Sequence, residues 1–202
     1  MRKAFIVVWL VSIFVGIVTL FWQNQLKYTL PTPVPDNYQP VAVGKTIGFK
    51  SKLVQNGKPV FLHFFNPDCP CSRFNISHFK SLVDQYKDQV NFAIVVMSKE
   101  TIYKEKEIQD RFDVEIPVLF DDSIASSCGV YSTPQAVILK PDNKLYYRGN
   151  YNRSRYCTDK KSEYAKLALN SLLNKKMNIG FSDYAVKAYG CELPNCLKNS
   201  RN

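Results

Sequence analysis

Two cysteines one residue apart, in the run Asn66-Pro67-Asp68-Cys69-Pro70-Cys71-Ser72-Arg73, are the part of this 202-residue sequence best suited to chemistry. A cysteine thiolate is the nucleophile of disulfide exchange, so such a residue needs a place where negative charge is stabilised. The flanking sequence supplies one. Upstream, Val60–Phe65 (VFLHFF) is short, β-branched and aromatic, as a buried central strand should be, and Asn66-Pro67-Asp68 ends it. Downstream, Ile76, Phe79, Val83 and Tyr86 recur on one helical face with Leu82 beside it. Pro70 suits the first helical position, where its missing N–H costs nothing, so Cys69 is expected at the N-cap. There the positive end of the helix dipole favours a thiolate; Arg73 adds to the effect and Asp68 opposes it. Cys71 is the nearest second thiol and the expected resolving partner of a Cys69 nucleophile. A Cys-x-Cys bridge is demanding, because its Cα atoms lie near the upper limit of about 7 Å for a disulfide. Such a bridge would be easily reduced, as in an oxidant or isomerase. The alternative is Cys69 acting as a monothiol.

Four more cysteines follow, at 128, 157, 191 and 196. An even count outside the cytoplasm allows structural disulfides, and sequence alone does not rank the pairings. Cys128, next to Gly129, reads as a small buried residue or a third redox thiol. Cys157 lies in a polar loop and could pair with a tail cysteine. Cys191-Glu192-Leu193-Pro194-Asn195-Cys196 most simply closes a small loop as a Cys191–Cys196 disulfide. The two histidines, His63 on the core strand and His78 on a helix face, read as packed or surface residues, so no metal site and no cofactor are expected.

These residues need a scaffold, and the hydrophobic pattern supplies one. A strand is expected over 90–97, a helix charged on its outer face over 102–112, and a core run from Pro117 to Phe120. A strand at 135–139 follows Gly129-Val130-Tyr131-Ser132-Thr133-Pro134, and 145–148 pairs back on it as a hairpin across the Pro141-Asp142-Asn143-Lys144 turn. A helix over 163–173 shows Tyr164, Leu167, Ala168 and Leu172 on one face. The order β-α-β-(α)-β-β-α is that of an α/β domain whose mixed central sheet is flanked by helices.

Residues 4–22 (AFIVVWLVSIFVGIVTLFW) carry no charge and are long enough to cross a bilayer. Arg2 and Lys3 precede them and Trp22 sits where interfacial aromatics belong, which places the N-terminus in the cytoplasm. No small-x-small cleavage site follows, so an uncleaved anchor is expected, not a signal peptide. The organisation read from the chain is therefore an anchor over 1–22, a spacer over 23–40 stiffened by Pro31, Pro33, Pro35 and Pro40, a folded domain over 41–175, and a cysteine-containing tail over 176–202. The localisation implied is the cytoplasmic (inner) membrane, single-pass, with the domain on the periplasmic or extracytoplasmic side. The formal charge of +10 is scattered rather than clustered, and no aromatic-interleaved basic patch is present. Nucleic acid is excluded as a partner on that ground.

Together, the strand followed by Phe64-Phe65-Asn66-Pro67-Asp68-Cys69-Pro70-Cys71-Ser72 and the later Gly129-Val130-Tyr131-Ser132-Thr133-Pro134 resemble the thioredoxin-like redoxins, membrane-anchored thiol–disulfide proteins in particular. The similarity covers roughly residues 41–175. It implies a thioredoxin-like fold, a cis Thr133-Pro134 bond with the Thr133 backbone facing bound substrate, a catalytic pair Cys69 and Cys71, and support from Pro70, Ser72 and Arg73. It also implies protein thiols or disulfides as substrates and a membrane or extracytoplasmic redox partner. Two departures weaken the redox part: Ser72 stands where the family has its second cysteine, and Asp68 replaces the usual Trp. A peroxidase is disfavoured, since Asn66 stands where a peroxiredoxin has Thr. Two other functions compete: a Cu(I)-handling metallochaperone using Cys69 and Cys71, and a non-catalytic interaction module whose cysteines are structural.

Overall fold

The computed structural model describes residues 2–48, 56–98, 103–175 and 180–193. It divides into two compact units, Met1–Pro31 and Thr32–Asn202. The first is helix α1 (Arg2–Thr29). Its Arg2–Gln23 stretch of 22 residues is apolar enough to cross a membrane and, at 1.5 Å per residue, reaches about 33 Å. Phe5, Trp9, Phe14 and Trp22 are all more than half exposed, a surface that water does not tolerate on this scale.

The second unit is built on a five-stranded sheet in the order β3-β2-β1-β5-β6. Its strands are β1 (Val60–Phe65), β2 (Asn91–Val96), β3 (Val118–Leu119), β5 (Gln135–Leu139) and β6 (Leu145–Gly149). β1 to β3 are parallel, while β5 and β6 run antiparallel to β1 and to each other respectively. β1 is central, and this explains its uninterrupted apolar run: Phe61 and Phe65 face one core, Leu62 and Phe64 the other. The first core is closed by α3 (Ile76–Tyr86), α4 (Glu105–Phe112) and α6 (Tyr164–Leu173), the second by α5 (Ser123–Cys128). Within α6 the inward residues are Ala165, Ala168 and Leu169, whereas Leu167 is 38% exposed, so the buried stripe is rotated from the expected one. The expected start of α4 at residue 102 lies outside the described residues.

The expected single helix after Cys69 is two helices. α2 (Pro70–Phe74) stops at Asn75, and α3 begins immediately after it. Asn75 is fully buried, and its side-chain oxygen accepts a hydrogen bond from the Cys157 thiol at 3.2 Å. Pinning an inward-turned polar residue in this way costs the helix its regular course.

The start of the second unit and the described part of its tail pack closely on the sheet domain. Thr32 is 4% exposed, its N–H donating to the Ala188 carbonyl at 2.8 Å, and the Tyr38 hydroxyl donates to the Gly129 carbonyl at 3.0 Å. The proline-rich stretch is thus part of the domain surface from Thr32 onward. In the tail, α7 (Asp183–Val186) leads to β7 (Cys191–Glu192), and Ala185 and Ala188 are fully buried. Ala185 approaches so closely that a Cβ at Gly149 would stand 2.1 Å from its carbonyl oxygen.

His63 on β1 tests how dry the first core is. Its ring stacks on Phe79 at 4.3 Å, and its Nδ1 shares a 2.7 Å hydrogen bond with the Tyr151 hydroxyl. Burial, with a smaller push from His78, takes its pKa from 6.5 down to about 3. The unfolded chain therefore takes up a proton that the folded chain refuses. This contribution to stability is whole above the unfolded value of 6.5 and drains away as pH falls toward the folded one. The unfolding free energy from urea titrations should decline between pH 7 and pH 4 by up to about 1.4 kcal/mol per pH unit from this group. His63→Gln, which keeps a neutral partner for Tyr151, should flatten that slope.

Candidate active site

Cys69 is the N-cap of α2, with extended backbone (φ −93°, ψ 122°), and Pro70 occupies the first turn. Its N–H donates to the Asn66 carbonyl at 3.1 Å. Ser72 is fully buried and accepts the Asn66 N–H through its hydroxyl at 3.2 Å, while the Asn66 side chain accepts the Asp68 N–H at 2.9 Å. The Ser72 position thus holds the loop in shape. Asp68, expected to oppose a thiolate, is tied up elsewhere: it accepts from the Tyr103 hydroxyl at 2.7 Å and the Ser98 hydroxyl at 3.3 Å. Arg73 is exposed and lies in the last turn of the five-residue α2, four residues on from Cys69.

The sulfur of Cys69 is bonded to Cys191, across 122 residues of chain and a Cα separation of 6.3 Å. This corrects two expectations. Cys71 is not the bonded partner of Cys69, and Cys191 does not close a small loop with Cys196, which lies outside the described residues. The reason is a strand pairing. β4 (Ser132–Thr133) and β7 run antiparallel with Thr133 opposite Cys191, and the Thr133 carbonyl oxygen is 3.9 Å from the Cys69 sulfur. The tail cysteine is carried to the N-cap by the same strand edge that faces it. Thr133-Pro134 is a cis bond, as the resemblance implies. Cys71, 3% exposed, keeps its sulfur within 4.8 Å of both bonded sulfurs. Once the disulfide is opened, these three sulfurs could hold a soft metal ion.

The two other described cysteines are remote in chemistry. Cys128 is buried in the second core, and burial raises its thiol pKa to about 12 despite the nearby Arg148 guanidinium. Cys157, a candidate to pair with the tail, instead donates to Asn75, and burial lifts its pKa to about 12 as well. Neither holds an appreciable thiolate fraction at neutral pH.

Sequence reasoning missed the residue that seats the tail. The Asn150 side chain donates to the carbonyls of Tyr184 (2.8 Å) and Lys187 (2.6 Å) and accepts the Tyr189 N–H (3.3 Å). Its only sequence signal is its place just after the Tyr147-Arg148-Gly149 hairpin exit.

A family model described as a domain of unknown function, DUF6436, matches residues 39–193. The chain belongs to this family. The DUF6436 fold is thioredoxin-like. It superposes on a thioredoxin-family thiol:disulfide interchange protein from Chlorobium tepidum TLS with a TM-score of 0.50 at 13% identity, covering 66% of this chain and 99% of that one. A hypothetical protein from Sinorhizobium meliloti 1021 gives a TM-score of 0.64 at 14% identity over 77% of this chain and 96% of its own. A conserved protein from Geobacillus kaustophilus gives 0.61 at 20% identity, over 81% and 97%. Among curated proteins, the thiol-disulfide oxidoreductase ResA of Halalkalibacterium halodurans is 24% identical over 91 residues, 44% of this chain and 52% of the relative. The chain thus spans about half the length of that relative.

Iodoacetamide at pH 8, applied to the folded and reduced DUF6436 protein, should leave Cys128 and Cys157 unmodified, whereas denaturant should expose both. Peptide mapping of the adducts reads the result directly.

Proposed function

We propose that this domain exchanges disulfides with protein substrates outside the cytoplasm, with Cys69 as nucleophile and Cys191 as its resolving thiol. The observation that carries this reading is the bond between a helix-start cysteine and a tail cysteine held beside Thr133-Pro134. In the reduced form, the Cys69 thiolate attacks a substrate disulfide, forming a mixed disulfide and releasing one substrate thiolate. The Cys191 thiolate then attacks the Cys69 sulfur, breaks the mixed bond and releases the second substrate thiolate. The reverse sequence oxidises a substrate dithiol. Cys71, near both sulfurs, can attack either and so serves as a third thiol rather than the first resolver. Helix α1 anchors the domain, with Arg2 and Lys3 on the cytoplasmic side, in keeping with the positive-inside rule.

Trapping experiments in intact cells test both parts. Cys191→Ser should accumulate mixed disulfides on non-reducing gels, Cys69→Ser should abolish them, and Cys71→Ser should trap far less than Cys191→Ser. A membrane-impermeant maleimide should reach the trapped protein's released thiols without lysis. Strong trapping by Cys71→Ser alone would return the resolving role to Cys71.

A second reading, Cu(I) handling, is favoured by one fact: the sulfurs of Cys69, Cys71 and Cys191 lie within 4.8 Å of one another. Soft thiolates select Cu(I). Anaerobic titration of the reduced protein against a chromophoric Cu(I) chelator should then give one ion per chain, with affinity falling at least about tenfold in Cys71→Ser.

A further inference from the structure

The segment bearing Cys191 is held as a strand in a narrow slot. On one side it pairs with the Ser132–Thr133 edge, in the register Ser132 to Glu192 and Thr133 to Cys191. On the other side stands Thr32, whose N–H donates to the Ala188 carbonyl at 2.8 Å and whose hydroxyl donates to the Gly190 carbonyl at 3.2 Å. The Thr32 hydroxyl also meets the Ser132 hydroxyl at 2.9 Å, closing the slot beneath the chain. Backbone groups make most of these contacts, so the slot accepts an extended peptide with little regard to its side chains. One position is the exception. A Cβ at residue 190 would stand 2.3 Å from the Thr133 carbonyl oxygen and 3.0 Å from the Ser132 hydroxyl, and φ there is +155°. Only glycine fits directly before the cysteine that reaches Cys69.

We propose that residues 188–192 are a built-in stand-in for substrate, and that the site prefers extended cysteine peptides with glycine immediately before the cysteine. This rests on the exchange reading above and specifies its substrate class. In the oxidised protein an incoming peptide thiolate attacks the Cys69 sulfur along the axis of its bond to Cys191. The Cys69–Cys191 bond breaks, a Cys69–peptide disulfide forms, and Cys191 leaves as a thiolate that takes a proton from water. The tail vacates the slot and the peptide adds to the Ser132–Thr133 edge in its place. A second peptide thiolate then attacks the peptide sulfur, giving a peptide disulfide and the Cys69 thiolate, so two peptide thiols are oxidised as one protein disulfide is reduced. The tail is therefore both the redox partner of Cys69 and a tethered competitor, and a peptide must match its fit to displace it.

The test uses the oxidised full chain in detergent and two end-blocked peptides, Ala-Tyr-Gly-Cys-Glu-Leu and Ala-Tyr-Ala-Cys-Glu-Leu. The yield of the Cys69–peptide adduct at equilibrium is read by mass spectrometry, with each yield normalised to that peptide's mixed disulfide with glutathione. The glycine peptide should accumulate at least about tenfold more adduct, the scale of a single backbone clash. In Gly190→Ala protein the tail competes poorly, and the glycine peptide should accumulate more still. Equal normalised yields for the two peptides on the wild-type chain overturn the proposal, whether or not the variant folds. Dithiothreitol separates the two levels of the argument. If it opens Cys69–Cys191 while the peptides are not discriminated, exchange survives and the glycine preference fails. If it cannot open the bond in the folded chain, the exchange reading fails and the proposal with it.

Discussion

Delivery of the Cys191 sulfur to the start of α2 is the contact on which the organisation of this domain turns. It joins residues 122 apart, and closing a loop of that length removes about 5 kcal/mol of unfolded-chain entropy in the simplest account. The bond is within reach because the tail is seated beside the N-cap. Asn150 takes up three backbone groups of residues 184–189 with one side chain, and the Tyr147 hydroxyl donates to the carbonyls of Asn150 (2.7 Å) and Ala185 (3.2 Å). Buried backbone groups left without such partners would each cost a sizeable part of the domain's stability. The hairpin exit, the tail and the N-cap cysteine thus form one mechanical unit.

That arrangement changes what must stabilise a thiolate. A long helix aimed at Cys69 would supply a sizeable partial charge, but α2 ends after five residues. What remains close to the sulfur are the start of a short helix and the neighbouring sulfurs of Cys71 and Cys191. Burial acts in the opposite direction on Cys128 and Cys157, whose thiols it pushes up to about 12, so a helix start and strand edge distinguish Cys69 and Cys191 from those two cysteines. A groove of about 310 Å³, lined by Tyr38, Met97, Val130, Tyr131 and Leu193 among others, adjoins the ends of the paired β4 and β7 strands with apolar surface.

Much of this was legible in the chain itself. The membrane-spanning length of α1, the central position of β1, the N-cap placement of Cys69 after Asn66-Pro67-Asp68 and the hairpin of β5 and β6 all follow from local patterns. Residue type and spacing within about twenty positions decide them, because hydrophobic periodicity, proline and capping preferences act over that range. Even so, a local pattern does not report where an inward polar side chain will find its partner. Asn75 breaks a helix that periodicity alone continues, because Cys157, far along the chain, holds its side chain inside.

The choice of partner for Cys69 belongs to the tertiary structure. By spacing, Cys71 is nearest and Cys196 lies closest to Cys191, and chain distance is all that a single sequence provides. In the folded domain, proximity is set by strand register: Thr133 lies opposite Cys191, and the Cys69 N-cap faces the same edge. The sequence determined which thiol stands at a helix start and that an apolar span precedes the domain, since both are properties of contiguous residues. Only the packing of Thr32, Asn150 and Gly149 against the tail decided which sulfur meets it, because Cys69 and Cys191 are 122 residues apart and no local pattern encodes their pairing.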